Sequence, residues 1–127
     1  MKLSQPKALS VLILENDKDL ADCIRLYLED SYHVYTIQDP TQLPKYISKY
    51  KIDIVITDLD SPYPDLSEHL KNIKIINPHI KIIVIYMFLD DDEQREKFIL
   101  KEADDYLFKP FDADVLKFKL KKLLSLA

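Results

Sequence analysis

The sequence predicts an α/β protein, a doubly wound, five-stranded parallel sheet with helices on both faces. Three observations lead there. Apolar, β-branched runs at 11–14, 52–57 and 82–87 are too short for helices and read as buried strands. Segments of helical periodicity lie between them, so strand and helix alternate about five times. Successive runs also end in polar chemistry: Glu15, Asn16 and Asp17 after the first, Asp58 after the second, Lys109 and Pro110 after Tyr106, Leu107 and Phe108. In an open parallel sheet, ligand chemistry gathers at the carboxyl edge of the strands.

The elements follow in order. After the strand at 11–14, Leu20, Ile24, Tyr27 and Leu28 recur at helical spacing, with Asn16 or Asp17 as the N-cap. Residues 33–37 read as a shorter edge strand, and 41–50 as a short helix with Pro44 in its first turn. The run 52–57 closes on Asp58, and a helix follows at 66–76. After the strand at 82–87 a helix is expected over 91–102. The acidic run Asp90, Asp91, Asp92 and Glu93 sits where a helix N-terminus favours negative charge, which makes it a cap rather than a metal site. A brief fifth strand covers 106–108. Asp112 then caps a last helix whose apolar stripe is Val115, Leu116, Leu120, Leu123 and Leu124. Right-handed crossovers would place helices on both sides, closing a flavodoxin-like (βα)5 domain. One domain spans 1–127, with a core over about 9–125 and residues 1–8 as an N-terminal extension.

Composition excludes several functions. A chain of 127 residues, 47% hydrophobic, can bury a real core. A net charge of −4 argues against direct nucleic-acid binding. No apolar run nears the roughly 18 residues a membrane span needs. The first residues lack the apolar stretch of a secretory signal, so a cytoplasmic protein is expected. The single cysteine, Cys23, fits a reducing compartment and reads as a small helix residue. Glycine is absent, so there is no P-loop, no dinucleotide-binding turn and no glycine-built oxyanion loop. His33, His69 and His79 share no metal-ligand spacing.

Three segments, 11–21 (VLILENDKDLA), 53–62 (DIVITDLDSP) and 103–112 (ADDYLFKPFD), resemble the response regulator receiver domain of bacterial two-component signalling. The resemblance runs through nearly the whole chain in order and spacing. It implies a signalling domain rather than an enzyme, one that accepts a phosphoryl group from a histidine kinase or phosphotransfer protein and requires Mg²⁺. Position by position, it implies Asp58 as phosphoacceptor and nucleophile. Glu15, Asn16, Asp58 and the backbone carbonyl of Asp60 would hold the metal, and Lys109 would neutralise the phosphoryl oxygens. Pro110 follows a peptide bond that is commonly cis in the family. Tyr86 and Tyr106 occupy the switch positions. Asp104, Asp105, Lys119 and Lys121 resemble the charged face, built from the fourth helix, fifth strand and fifth helix, through which many receivers signal and dimerise. Lys117, Lys122, Glu96 and Glu102 extend it.

Four positions depart from the family pattern. Asn16 replaces a second aspartate, which removes a formal charge and weakens the Mg²⁺ site. Tyr86 replaces a small Thr or Ser; its phenol either covers Asp58 or swings outward. Leu66 and Glu102 fall where receivers favour glycine, so the loop after Asp58 and the end of the helix over 91–102 should be remodelled. Two functions therefore stand side by side. One is a phosphoaccepting receiver in a phosphorelay. The other is a pseudo-receiver, an interaction module independent of phosphorylation, in which Lys109 merely neutralises Asp58 and Tyr106 merely packs.

Overall fold

The computed structural model describes residues 9–58, 66–86, 97 and 101–125. Its five parallel strands are β1 (Ser10–Leu14), β2 (His33–Ile37), β3 (Ile54–Asp58), β4 (Lys81–Tyr86) and β5 (Asp105–Phe108), in the spatial order β2-β1-β3-β4-β5. Helices α1 (Lys18–Leu28), α2 (Leu43–Lys49), α3 (Leu66–Ile76) and α4 (Ala113–Ser125) connect and flank them. The helix expected over 91–102 lies largely outside the described residues; Lys97, Lys101 and Glu102 are helical. The sheet is therefore the doubly wound one read from the sequence. Strand bounds differ from expectation by one or two residues: β3 runs 54–58 and β4 runs 81–86.

Alternation along buried strands divides the core in two. Leu12, Leu14, Val55, Ile82, Val84 and Tyr86 project to one face and pack with Leu43, Ile47, Leu70 and Ile73 of α2 and α3. Val11, Ile13, Ile54, Ile56, Ile83, Ile85 and Leu107 project to the other, against Ala21, Ile24 and Leu28 of α1 and Leu116, Leu120 and Leu123 of α4. Each of these fully buried aliphatic side chains stabilises the fold by roughly 1.5–3 kcal/mol relative to exposure. Two stripe positions are corrected: Tyr27 and Val115 are exposed, at 51% and 44%. Helical spacing allowed each a place at the margin of its stripe, and Leu116, Leu120 and Leu123 fill the contact without Val115.

Local chemistry sets the helix boundaries. Asp17 caps α1 by accepting from the backbone N–H groups of Asp19 and Leu20. Asp39 accepts from the N–H of Thr41 and starts a 3-10 turn, Pro40–Gln42, ahead of α2. That turn was not read from the sequence. Pro44 sits in the first turn of α2, where its missing N–H is no loss. Asp112 accepts from the N–H of Asp114 at the start of α4.

A polar clamp ties the far end of β4 to its neighbours. Lys74 Nζ donates to the carbonyl of Ile80 at 2.6 Å and to Asp104 Oδ2 at 2.7 Å, and the N–H of Ile82 donates to the same carboxylate oxygen at 2.7 Å. Asp104 therefore joins α3, β4 and the entry to β5. Replacing Asp104→Ala should destabilise the fold by about 1–3 kcal/mol, because it strands a backbone donor and a cation together. Urea unfolding would measure this, and a loss under about 0.5 kcal/mol would mean the clamp is replaceable by water.

Candidate functional site

The site is built from three strand ends that parallel register brings level. Leu14 pairs with Thr57, and Asp58 pairs with Ile85. The residues that leave β1, close β3 and leave β5 therefore meet on one edge. Their backbones are held by sheet hydrogen bonds. Glu15 donates its N–H to the Ile37 carbonyl at 3.1 Å, and Lys109 donates its N–H to the Tyr86 carbonyl at 2.9 Å. The Lys109–Pro110 peptide is cis.

Asp58 is 5% exposed and Glu15 3%. Lys109 Nζ lies 2.5 Å from Asp58 Oδ2 as a largely buried ion pair. Glu15 is hydrogen-bonded to Asp58 by its side chain and accepts from the N–H of Asp17 at 3.1 Å. Burial pushes the Glu15 carboxyl up from 4.5 to about 7. The hydrogen bond to Asp58 and its negative charge add to the rise, while the Asp17 amide and the Lys109 ammonium oppose it. Two buried carboxylates thus face the Lys109 ammonium, and Glu15 keeps its proton to higher pH than an exposed glutamate would.

The other expected residues are placed as follows. Asn16 is exposed at the mouth of the site. Asp60 and Glu96 lie outside the described residues, as does the acidic run 90–93. Tyr86 turns inward: it is 4% exposed, its ring 4.9 Å from that of Phe108 and 6.1 Å from that of Tyr106. It belongs to the core on the α2–α3 side of the sheet. Tyr106 is 39% exposed, with Lys119 Nζ 5.2 Å from its ring centroid. Asp105 accepts from Lys119 of its own chain at 2.8 Å, and Asp104 is held in the clamp. Lys121 is exposed. Leu66 is the first residue of α3, and the segment expected to be remodelled between it and Asp58, residues 59–65, lies outside the described residues.

Two participants escaped the sequence reading. Phe108 packs at a tilt against Tyr86, the two being register partners on β5 and β4; strand alternation carried that signal. Thr57 is 1% exposed, and its Oγ1 has no hydrogen-bond partner among the described residues. It read as one more residue of an apolar strand.

The donor set suits a hard cation. Glu15 and Asp58 offer carboxylate oxygens and Asn16 an amide oxygen, the ligand type Mg²⁺ takes alongside water. Among the described residues no three His, Cys, Asp or Glu side chains are grouped to hold a metal. Among the described residues, no helix is long and apolar enough to cross a membrane.

A buried aspartate, a second buried carboxylate and a lysine thus meet at the carboxyl edge of a five-stranded parallel sheet. The match is to a specific family: residues 11–121 fit the response regulator receiver domain, and the chain belongs to it. Among curated relatives, the sensor histidine kinase TmoS of Ectopseudomonas mendocina is 32% identical over 118 residues, covering 91% of this chain and 12% of that protein. The probable transcriptional regulator ycf29 of Porphyra purpurea is 30% identical over 117 residues, covering 91% of this chain and 56% of its own. The chain thus spans little more than half of one and a small part of the other. A receiver domain protein (CheY-like) from Methanospirillum hungatei JF-1 superposes with a TM-score of 0.83 at 23% identity, covering 92% of this chain and 94% of its own.

The Glu15 shift sets a pH dependence. A carboxyl whose folded value lies above its unfolded one keeps its proton longer in the native state. Stability should therefore fall as pH rises from about 4.5 to about 7, and level off above. Glu15→Gln should abolish that slope, worth on the order of 3 kcal/mol across the window. Chemical denaturation at a series of pH values measures it; an unchanged slope in the variant would place the titrating group elsewhere.

Proposed function

We propose that Asp58 is the phosphoacceptor of this receiver domain, charged by a phosphohistidine on a histidine kinase or phosphotransfer protein in the cytoplasm. The observation that carries the reading is the buried Asp58 carboxylate paired to Lys109 Nζ with Glu15 alongside. An Asp58 carboxylate oxygen attacks phosphorus, and the bond from phosphorus to the donor imidazole nitrogen breaks. The nitrogen keeps the electron pair and takes up a proton, and an acyl phosphate is left on Asp58. Lys109, already at the carboxylate, neutralises the added negative charge. Glu15, Asn16 and Asp58, with the Asp60 carbonyl, would hold Mg²⁺, which supplies further charge neutralisation at the phosphoryl oxygens. Metal ligands must be deprotonated, so the cation and the Glu15 proton compete, and Mg²⁺ affinity should rise as pH passes through about 7. The activity is that of a signalling domain, with nothing beyond self-phosphorylation from small donors and loss of the phosphoryl group to water.

Tyr86 favours a second reading. Where receivers place a small mobile hydroxyl, this chain has a phenol ring packed into the core against Phe108. Output then passes through the aromatic surface of β5, Tyr106 and Phe108, without a hydroxyl moving onto the phosphoryl group. Taken to its limit, the domain would be an interaction module that works without phosphorylation.

Intact-mass measurement after incubation with acetyl phosphate and Mg²⁺ separates the two. The first reading expects a single phosphoryl adduct, absent in Asp58→Asn and reduced at least tenfold in Lys109→Ala. No adduct from acetyl phosphate or from a phosphorylated kinase would establish the interaction module.

A further inference from the structure

The sheet has two edges, and the sequence treats them differently. β5 opens on Asp105 and runs into Lys109 and Pro110. A short strand bounded by charge and proline is a poor template for further pairing. β2 is the outermost strand at the other end. Residues 31–38 hold no Asp, Glu, Lys, Arg or Pro, and the register of β2 with β1 runs unbroken from His33 to Ile37. That edge carries none of the usual guards.

The backbone leaves one side of β2 open. His33 donates its N–H to the Leu9 carbonyl at 2.9 Å, and Ile37 accepts from the N–H of Glu15 at 3.1 Å. In a parallel ladder the N–H and C=O of one residue point the same way, and neighbours alternate. His33, Tyr35 and Ile37 therefore face β1, while the N–H and C=O groups of Val34 and Thr36 point away from the sheet. No strand lies beyond them among the described residues. Thr36 is exposed, and beside it runs a groove of about 350 Å³, lined also by Gln38, Gln42, Tyr46, Lys18 and Asp22.

The side chains suit an added strand. On the α2 side Tyr35 stacks on Tyr50 with ring centroids 4.3 Å apart, and Tyr46 lies 5.7 Å from Tyr50. All three are half-buried against the core. The strand is also complementary to itself. Antiparallel pairing about a two-fold axis at Tyr35 sets Val34 against the partner's Thr36. Their outward N–H and C=O groups then exchange two hydrogen bonds, and symmetry supplies a second such pair. Tyr35 meets the partner's Tyr35 at a non-hydrogen-bonded position, where side chains approach most closely, and His33 lies opposite the partner's Ile37. No charge meets a like charge, and two groups of three tyrosines become neighbours.

We infer that the outer edge of β2 is a self-pairing surface, occupied by the β2 strand of a second copy in antiparallel register centred on Tyr35. The two five-stranded sheets become one continuous sheet. Pairing of two short strands buries less than the standard of about 800 Å² per partner, so a dissociation constant on the order of 100 μM is expected. The inference does not rest on phosphorylation of Asp58.

Sedimentation equilibrium up to millimolar protein tests it, and the wild-type chain should move from monomer toward dimer mass. Amide exchange followed by NMR should show the Val34 and Thr36 N–H groups protected only at high concentration, with Tyr35 protected throughout. Thr36→Pro removes an outward donor and spares every bond to β1, and should weaken association at least tenfold. Tyr35→Cys in a Cys23→Ser background reads the register. A non-hydrogen-bonded antiparallel pair brings Cα atoms to about 4.5 Å, within disulfide reach. Oxidation should link Tyr35→Cys into a dimer, and Thr36→Cys at least tenfold less. Circular dichroism checks that each variant folds, and the exchange result needs only the wild-type chain. A chain monomeric at millimolar concentration would overturn the inference. So would a dimer indifferent to Thr36→Pro, or one that leaves the Val34 and Thr36 amides unprotected.

Discussion

The ammonium of Lys109 on the carboxylate of Asp58 is the contact around which the rest is arranged. It joins the residue after β5 to the end of β3 across β4, and it exists because parallel register brings those ends level. Taking two charges out of water is costly, so such a pair contributes little net stability; losing one partner costs far more, because the other is left buried and uncompensated. With Glu15 also buried beside it, the site holds one acid too many for its single cation. The raised Glu15 carboxyl answers this by holding its proton toward neutral pH. The arrangement is suited to receive something that changes its charge, a divalent cation or a phosphoryl group.

Around that contact the molecule divides its surfaces. On the β5 side, Tyr86, Phe108 and Tyr106 make a packed aromatic ladder, and the Asp105–Lys119 bond closes its rim. The inward turn of Tyr86 makes its ring part of the hydrophobic core, so replacing Tyr86 by a small residue would open a cavity costing about 3–5 kcal/mol. On the opposite side, α1 and α4 keep an apolar seam bordered by charges of both signs.

Much of this was legible in the residues. Short β-branched runs marked the strands, and their polar terminators located the edge where Glu15, Asp58 and Lys109 meet. Asp17 and Asp112 announced their helices as caps. The errors came where spacing underdetermines burial: Tyr27 and Val115 lie at stripe margins, and neighbouring leucine and isoleucine side chains filled the contacts instead. The orientation of Tyr86 was not legible, because a residue at the end of a strand can turn to either face. Its partner Phe108, fixed only by β4–β5 register, decided it. Thr57 was silent because a hydroxyl in an apolar run carries no sign of whether it finds a partner. The Lys74–Asp104 clamp joins residues thirty apart, beyond the reach of local pattern.

Borohydride trapping would place the chemistry at a single atom. Reduction converts an aspartyl phosphate to homoserine, and tandem mass spectrometry of the digested, phosphodonor-treated protein then locates it. If the strand-end cluster is the acceptor site, homoserine stands at position 58 and nowhere else in the chain. Homoserine at another aspartate, with position 58 unmodified, would contradict the phosphoacceptor role of the Asp58, Lys109 and Glu15 cluster.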